Sequence, residues 1–215
     1  MANPREAINP ERIVRDVIVV GASVGGISAV IELLSRLPRE LSAFVGIVIH
    51  RGARSDSDWS GTLATKTKLQ VVEPAQGDPL LRGVVYIAPS DCHMRFEHDR
   101  IALGGGAKEH RTRPAVDPLF TSAELTYGPR VVAVVLTGGG HDGMEGLRDV
   151  TAAGGISLAQ KPAEAESASM PEFAIAHDHV RAALTIDRLG DALVLLARGD
   201  AVPLLGDSTT SARPP

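Results

Sequence analysis

Three short segments, far apart in the chain, supply a serine, a histidine and a carboxylate. They are Gly21-Ala-Ser-Val-Gly25, Val48-Ile-His-Arg51 and Leu136-Thr-Gly-Gly-Gly-His-Asp-Gly143. A nucleophile, a base that takes its proton and a group that orients the base are the three roles of triad chemistry. Each segment follows a run of apolar, largely β-branched residues, so each is expected where a buried strand ends and a loop begins. A serine hydrolase built on Ser23, His50 and Asp142 is the first hypothesis.

Each loop also has a plainer reading. Ser23 lies in a Gly-x-Ser-x-Gly pattern with a strand before and a helix after, which presents a hydroxyl beside the free N–H groups of a helix start, Val24 among them. The same loop suits a helix-capping serine or a phosphate cradle. A dinucleotide fingerprint is absent, because Ser23 stands where its second glycine would be. His50 ends a strand and is either a base or a surface histidine. Asp142 either accepts the second imidazole N–H, leaving Nε2 as the base, or caps the helix that starts near Met144. Gly138, Gly139 and Gly140 leave the backbone open for amides to approach an oxyanion. The order Ser, His, Asp differs from the Ser, Asp, His order of α/β-hydrolases.

These loops need elements to hold them. Apolar runs at 13–20, 44–49, 84–88, 131–136 and 156–159 read as strands, and helical spacing appears at 27–37, 59–68, 116–125, 144–153 and 187–197. Ser57 or Asp58 is the expected N-cap of the second helix. Segments 93–96 and 101–103 form a small β-hairpin excursion with His93 and His98 on its surface. Alternating helices and continuously apolar strands indicate an α/β fold: doubly wound, a mostly parallel sheet with helices on both faces. Residues 1–12 are read as an N-terminal extension, 13–200 as one catalytic domain and 201–215 as a disordered tail.

Composition agrees. With 44% apolar but only 3% aromatic residues, the core must be aliphatic, as around buried parallel strands. A net charge of −4 argues against nucleic acid as partner. The single Cys92 excludes an internal disulfide and argues against a cysteine zinc site. No apolar run approaches the roughly eighteen residues needed to span a bilayer, and no signal-peptide pattern opens the chain. A cytoplasmic protein without membrane insertion is the expectation.

The ordered set of motifs resembles the catalytic domain of the chemotaxis receptor methylesterase family (protein-glutamate methylesterases) over roughly residues 17–197. It comprises Val-Gly-Ala-Ser-x-Gly-Gly at 20–26, His50, Tyr86-Ile-Ala-Pro89, His93-Met94, Arg113-Pro-Ala-Val-Asp117, Leu119-Phe120, Leu136-Thr-Gly-x-Gly-x-Asp-Gly143, Gly154-Gly155, Ala159-Gln160 and Met170-Pro171. The resemblance implies a Ser23–His50–Asp142 triad that hydrolyses γ-glutamyl methyl esters on a methyl-accepting chemoreceptor, releasing methanol without a cofactor or metal, and that can deamidate receptor glutamines. It implies the Gly139 amide as an oxyanion donor and Met170 at the border of the cleft. Arg113, with Arg111, is a candidate contact for an acidic substrate, against the reading of a solvated basic loop.

The chain departs from the family pattern at Val24, Arg51, Gly139 and His141, which leaves open an altered ester or amide substrate, or a weakly catalytic receptor-binding module. Arg51 and Arg54 either disfavour a charged His50 or bind an acidic receptor. The family's N-terminal receiver domain has no counterpart in these residues, which leaves three readings: an unregulated enzyme, control by a separate regulatory protein as partner, or a piece of a longer chain. His177-Asp178-His179 is read as a solvated loop and not as a metal site.

Overall fold

Strand β1 (Val17–Ala22) lies at the centre of a parallel sheet, and all six of its residues are buried. A computed structural model describes residues 13–51, 57–177 and 179–203. β1 pairs in parallel with β2 (Phe44–Ile49) on one side and with β7 (Val131–Val135) on the other. β4 (Val84–Ile87) and β3 (Gln70–Val72) extend the sheet beyond β2, and β8 (Ile156–Gln160) and β9 (Ala182–Leu184) extend it beyond β7. The order of the seven strands is β3-β4-β2-β1-β7-β8-β9.

Strands buried on both faces must be apolar throughout, and the core divides accordingly. Ile18, Val20 and Ala22 pack with Val30, Leu33 and Leu34 of α1 (Gly26–Arg36), Leu63 of α2 (Trp59–Ala64) and Leu189 and Leu193 of α6 (Ile186–Ala197). Val17 and Val19 face Leu119 and Phe120 of α3 (Val116–Tyr127), Leu147 of α4 (Met144–Ala152) and Ala174 of α5 (Ser169–Ala176). Gly21 has no side chain because the isopropyl group of Val116 occupies that space. The doubly wound α/β fold is therefore as the sequence implies, and its small antiparallel hairpin is β5 (His93–Glu97) with β6 (Arg100–Gly104).

The differences are instructive. The first strand starts at Val17, not 13, because Ile13 and Val14 are exposed while Asp16 turns inward. The second helix ends at Ala64 instead of 68, and Asp58 is its N-cap, accepting from the Gly61 amide. The three-residue edge strands β3 and β9 are too short to leave a periodic signal. His93 is not on the hairpin surface: it is fully buried, its Nε2 donating to the Ala107 carbonyl while Nδ1 accepts from the Ala115 amide. Residues 1–12, most of the supposed tail (204–215), Arg54 and Asp178 lie outside the described residues. Among the described residues, no helix is long and apolar enough to cross a membrane.

Asp16 fastens the bottom of the sheet. Its buried carboxylate accepts two hydrogen bonds from Arg130, at 2.8 and 3.0 Å, and another from Arg82. Burial alone would raise its pKa, but the bonds and charges of Arg130 and Arg82 outweigh that and hold it below the ordinary carboxylate range. A depressed folded-state pKa adds stability that is present above the unfolded value near ~3.9 and lost as pH falls through the folded value. Asp16→Asn is expected to cost about 1–3 kcal/mol at pH 7, since the two arginines return to water. Urea titrations should show that gap between variant and parent shrinking below about pH 4.

Candidate active site

The chain runs outward from β1 to β2 and later returns to β7 on the other side, so a crevice opens at the carboxyl ends of these strands. All three candidate residues emerge there. The register pairs Ala22 with Ile49, which sets Ser23 beside His50, and the His50 amide continues the ladder to the Ala22 carbonyl at 3.0 Å. On the other side the Ser23 amide donates to the Thr137 carbonyl at 3.0 Å, and the Thr137 hydroxyl donates to the Val24 carbonyl at 2.9 Å. The loop turns on Gly25, the left-handed N-cap of α1 (φ 74°), while the serine itself keeps ordinary backbone geometry.

His50 lies between the other two groups. Its Nδ1 is 3.2 Å from Ser23 Oγ and its Nε2 is 2.6 Å from Asp142 Oδ2. This reverses the ring orientation expected from the sequence, which assigned Nε2 as the base. The reason is reach. Ser23 is the neighbour of His50 across one strand pair, within range of the ring nitrogen nearest the backbone. Asp142 comes from the loop after β7, two strands away, and only the far nitrogen extends to it. The side chain of His50 is 12% exposed and that of Asp142 only 2%.

Asp142 is not the cap of its own helix. Gly143 occupies that position in α4, with φ 94° and no side-chain bond. The Asp142 carboxylate instead accepts from the first two amides of α3, Val116 at 2.7 Å and Asp117 at 3.0 Å. Asp117, in the first turn of α3, returns the bond by accepting from the Gly146 amide of α4 at 2.8 Å. The start of α3 is thus capped by the loop carboxylate that precedes α4, and the start of α4 by a carboxylate of α3. Helix N-termini leave free N–H groups and a positive dipole end, so both carboxylates are favoured as anions there.

Burial nevertheless raises the Asp117 carboxyl, helped by the nearby charge of Asp142. For Asp142 burial also pushes upward, but the His50 bond, the Val116 amide, the His50 charge and the Asp117 amide prevail and hold it below the usual carboxylate range. Asp142 is therefore held as the ionised carboxylate beside His50. His110, Asp117 and Asp142 offer ligand atoms within 4.8 Å of one another, as a metal site would. Their oxygens, however, are turned to N–H donors: His50, Val116 and Asp117 on Asp142, and Gly146 and His110 on Asp117. Two positive helix ends make the place unsuited to a cation.

Of the expected oxyanion donors, Gly138 is already committed, its amide donating to the Ser167 carbonyl at 2.9 Å. Among the described residues the amides of Val24 and Gly139 have no protein acceptor. Met170 is fully buried and fills the space beside Gly138, so it supports the loop from below and does not line the cleft. Arg113 is no free cation. Its guanidinium bonds Asp91 and the carbonyls of Gly105 and Gly106. Arg51 likewise points away from His50, bonding Glu73 and the Ala88 carbonyl and stacking on Trp59, with its side chain 3% exposed.

Two residues with no assigned role in the sequence reading reach the site. Asp117 had a usable signal, an acidic residue in the first turn of a helix. Thr112 had none: its hydroxyl lies 3.4 Å from His50 Nε2 only because of how the 105–115 loop folds over the crevice. His177 and His179 stack near Phe173, with the His177 ring 5.8 Å from the phenyl ring.

Comparison with known proteins gives a consistent picture. The family model described as CheB methylesterase matches residues 18–193. A Leptospira interrogans protein, named as a candidate protein-glutamate methylesterase/protein-glutamine glutaminase, is 33% identical over 84% of this chain and 94% of its own length. An Anaeromyxobacter dehalogenans protein-glutamate methylesterase/protein-glutamine glutaminase is 39% identical over 88% of this chain, which spans only 56% of that relative. The crystal structure of the Thermotoga maritima CheB methylesterase catalytic domain superposes with a TM-score of 0.80 at 28% identity. It covers 84% of this chain and 98% of that one.

The neighbouring glycines 138 and 139 should behave oppositely. A Cβ at Gly138 would collide with Met170 Sδ and lie 2.8 Å from Ser23 Cβ, whereas at Gly139 it would meet nothing within 4 Å. Gly138→Ala is expected to cost about 1–3 kcal/mol by overpacking. Gly139→Ala should stay within about 0.5 kcal/mol, as at an open surface position. Thermal melts of the two variants check the contrast.

Proposed function

The chain belongs to the CheB methylesterase family, and on that premise we propose that it is a protein-glutamate methylesterase acting through Ser23, His50 and Asp142. One observation carries the reading: an unbroken line from Asp142 to His50 to Ser23, with contacts of 2.6 and 3.2 Å. An ionised Asp142 holds the proton on Nε2 and so leaves the Nδ1 lone pair facing the serine hydroxyl.

Ser23 Oγ attacks the carbonyl carbon of a γ-glutamyl methyl ester while His50 Nδ1 takes the hydroxyl proton. Negative charge collects on the carbonyl oxygen, where the free amides of Val24 and Gly139 donate to it. The tetrahedral species collapses, the C–O bond to methoxide breaks, and His50 returns its proton so that methanol leaves. Water then attacks the glutamyl-Ser23 ester, with His50 again as base, and the glutamate side chain is released. A glutamine amide enters the same cycle with ammonia as the leaving group, as the names of the relatives suggest. The substrate in this reading is a methyl-accepting chemoreceptor, met in the cytoplasm.

Ser23→Ala should lower methanol release from methylated receptor by about 10³-fold or more, as loss of a triad nucleophile does, with an unchanged circular dichroism spectrum. Unchanged turnover in that variant would end the triad assignment. A serine-directed phosphonate should label Ser23 in the parent and fail to label it in His50→Ala. Absence of labelling in the parent would favour a receptor-binding module over an enzyme.

A further inference from the structure

Residues Glu109 and Thr112 close a tight turn over the crevice, each amide donating to the other's carbonyl at 3.2 and 2.8 Å. The two residues between them, His110 (φ 46°) and Arg111 (φ 66°), both adopt left-handed backbone, the combination that a type I′ turn requires. Glycine and asparagine are the usual occupants, because a Cβ is disfavoured in this region. Strained backbone of this kind persists where the surroundings hold it, and it concentrates at functional sites. Here two residues of the turn reach the site, one through Asp117 and the other directly. His110 Nε2 is 3.0 Å from Asp117 Oδ2, and Thr112 Oγ1 is 3.4 Å from His50 Nε2.

The polarity of the Thr112 contact follows from its other bond. Its hydroxyl proton is given to the Glu109 carbonyl at 3.0 Å, so the oxygen can only present lone pairs to His50. Nε2 therefore faces two acceptors, Asp142 Oδ2 and Thr112 Oγ1, and has no donor beside it. The contacts to Ser23 and Asp142 hold the two ring nitrogens but leave the ring free to tilt about the line between them. A second acceptor on the flank restricts that tilt and shields the proton from water.

We infer that Thr112 is a positioning residue, which fixes the plane of the His50 imidazole and keeps its proton on Nε2 so that Nδ1 stays aligned with Ser23. The role depends on the triad reading above, and it assigns the strained 109–112 turn a purpose: delivering one hydroxyl oxygen to the back of the base. Thr112 touches neither the ester nor the serine, so its effect belongs to turnover and not to substrate binding.

The test pairs Thr112→Val, which keeps shape and removes the oxygen, with Thr112→Ser, which keeps the oxygen. Thr112→Val should lower kcat for methyl ester hydrolysis about three- to tenfold, the size expected for one lost hydrogen bond at the transition state, while KM stays unchanged. Thr112→Ser should restore most of that loss. In ¹⁵N NMR of the unreacted protein, the Nε2–H proton of His50 should exchange with solvent several-fold faster in the valine variant and near the parent rate in the serine variant. Parent-like kcat and exchange in Thr112→Val would overturn the inference. So would equal losses in both variants with unaltered exchange, which would mean that the residue only stabilises its turn. Failure of the triad reading is separable, because it shows as retained turnover in Ser23→Ala, while the exchange measurement still judges Thr112.

Discussion

The structure turns on a carboxylate placed at the start of a helix that is not its own. Asp142 leaves the β7 loop and is held by the first two amides of α3, while Asp117 of α3 holds the start of α4. Neither helix can shift without uncapping the other. An isolated carboxylate in a nearly closed environment would be expelled or protonated, since burial penalises its charge. Two helix amides and an imidazole N–H offset that penalty, so one arrangement both fixes the α3–α4 packing and keeps an anion behind His50.

The parallel register supplies the other half. Because β1 and β2 pair residue for residue from Val17 and Phe44 onward, Ser23 and His50 leave the sheet side by side. The ring then has one near partner and one distant partner, and its orientation follows from which nitrogen can reach which. Which ring nitrogen faces Ser23 is thus decided by strand order. The glycines serve the same end: Gly21 admits Val116, whose amide holds Asp142, and Gly138 admits Met170 beneath the loop that borders Ser23.

Several charged residues near the site are structural. Arg51 follows His50 in the chain yet is turned into a bond with Glu73 and a stack on Trp59, and Arg113 ties the hairpin loop to Asp91. The sequence left open that Arg51 disfavoured a charged His50 or bound an acidic receptor, and set a substrate contact for Arg113 against a solvated basic loop. Successive residues at a strand end project to opposite sides of the sheet, so the residue next to His50 is a poor candidate for modulating it. Thr112, sixty-two residues away in the chain, is the one that reaches it.

The sequence by itself determined the succession of the longer strands and helices, and through it the fold class, because parallel strands buried on both faces must be apolar throughout. It also determined which loops carry Ser23, His50 and Asp142, since each follows such a run. It left no trace of the two short edge strands, of His93 as a buried residue, of Gly138 as a committed amide or of Thr112 as a neighbour of His50. Those depend on bonds between residues distant in the chain, and hydrogen-bond partners across a fold have no periodicity to read. Only the tertiary structure decided that Nδ1 faces the serine and that Asp142 caps α3 instead of α4. Both outcomes follow from distances between loops, which a sequence does not contain.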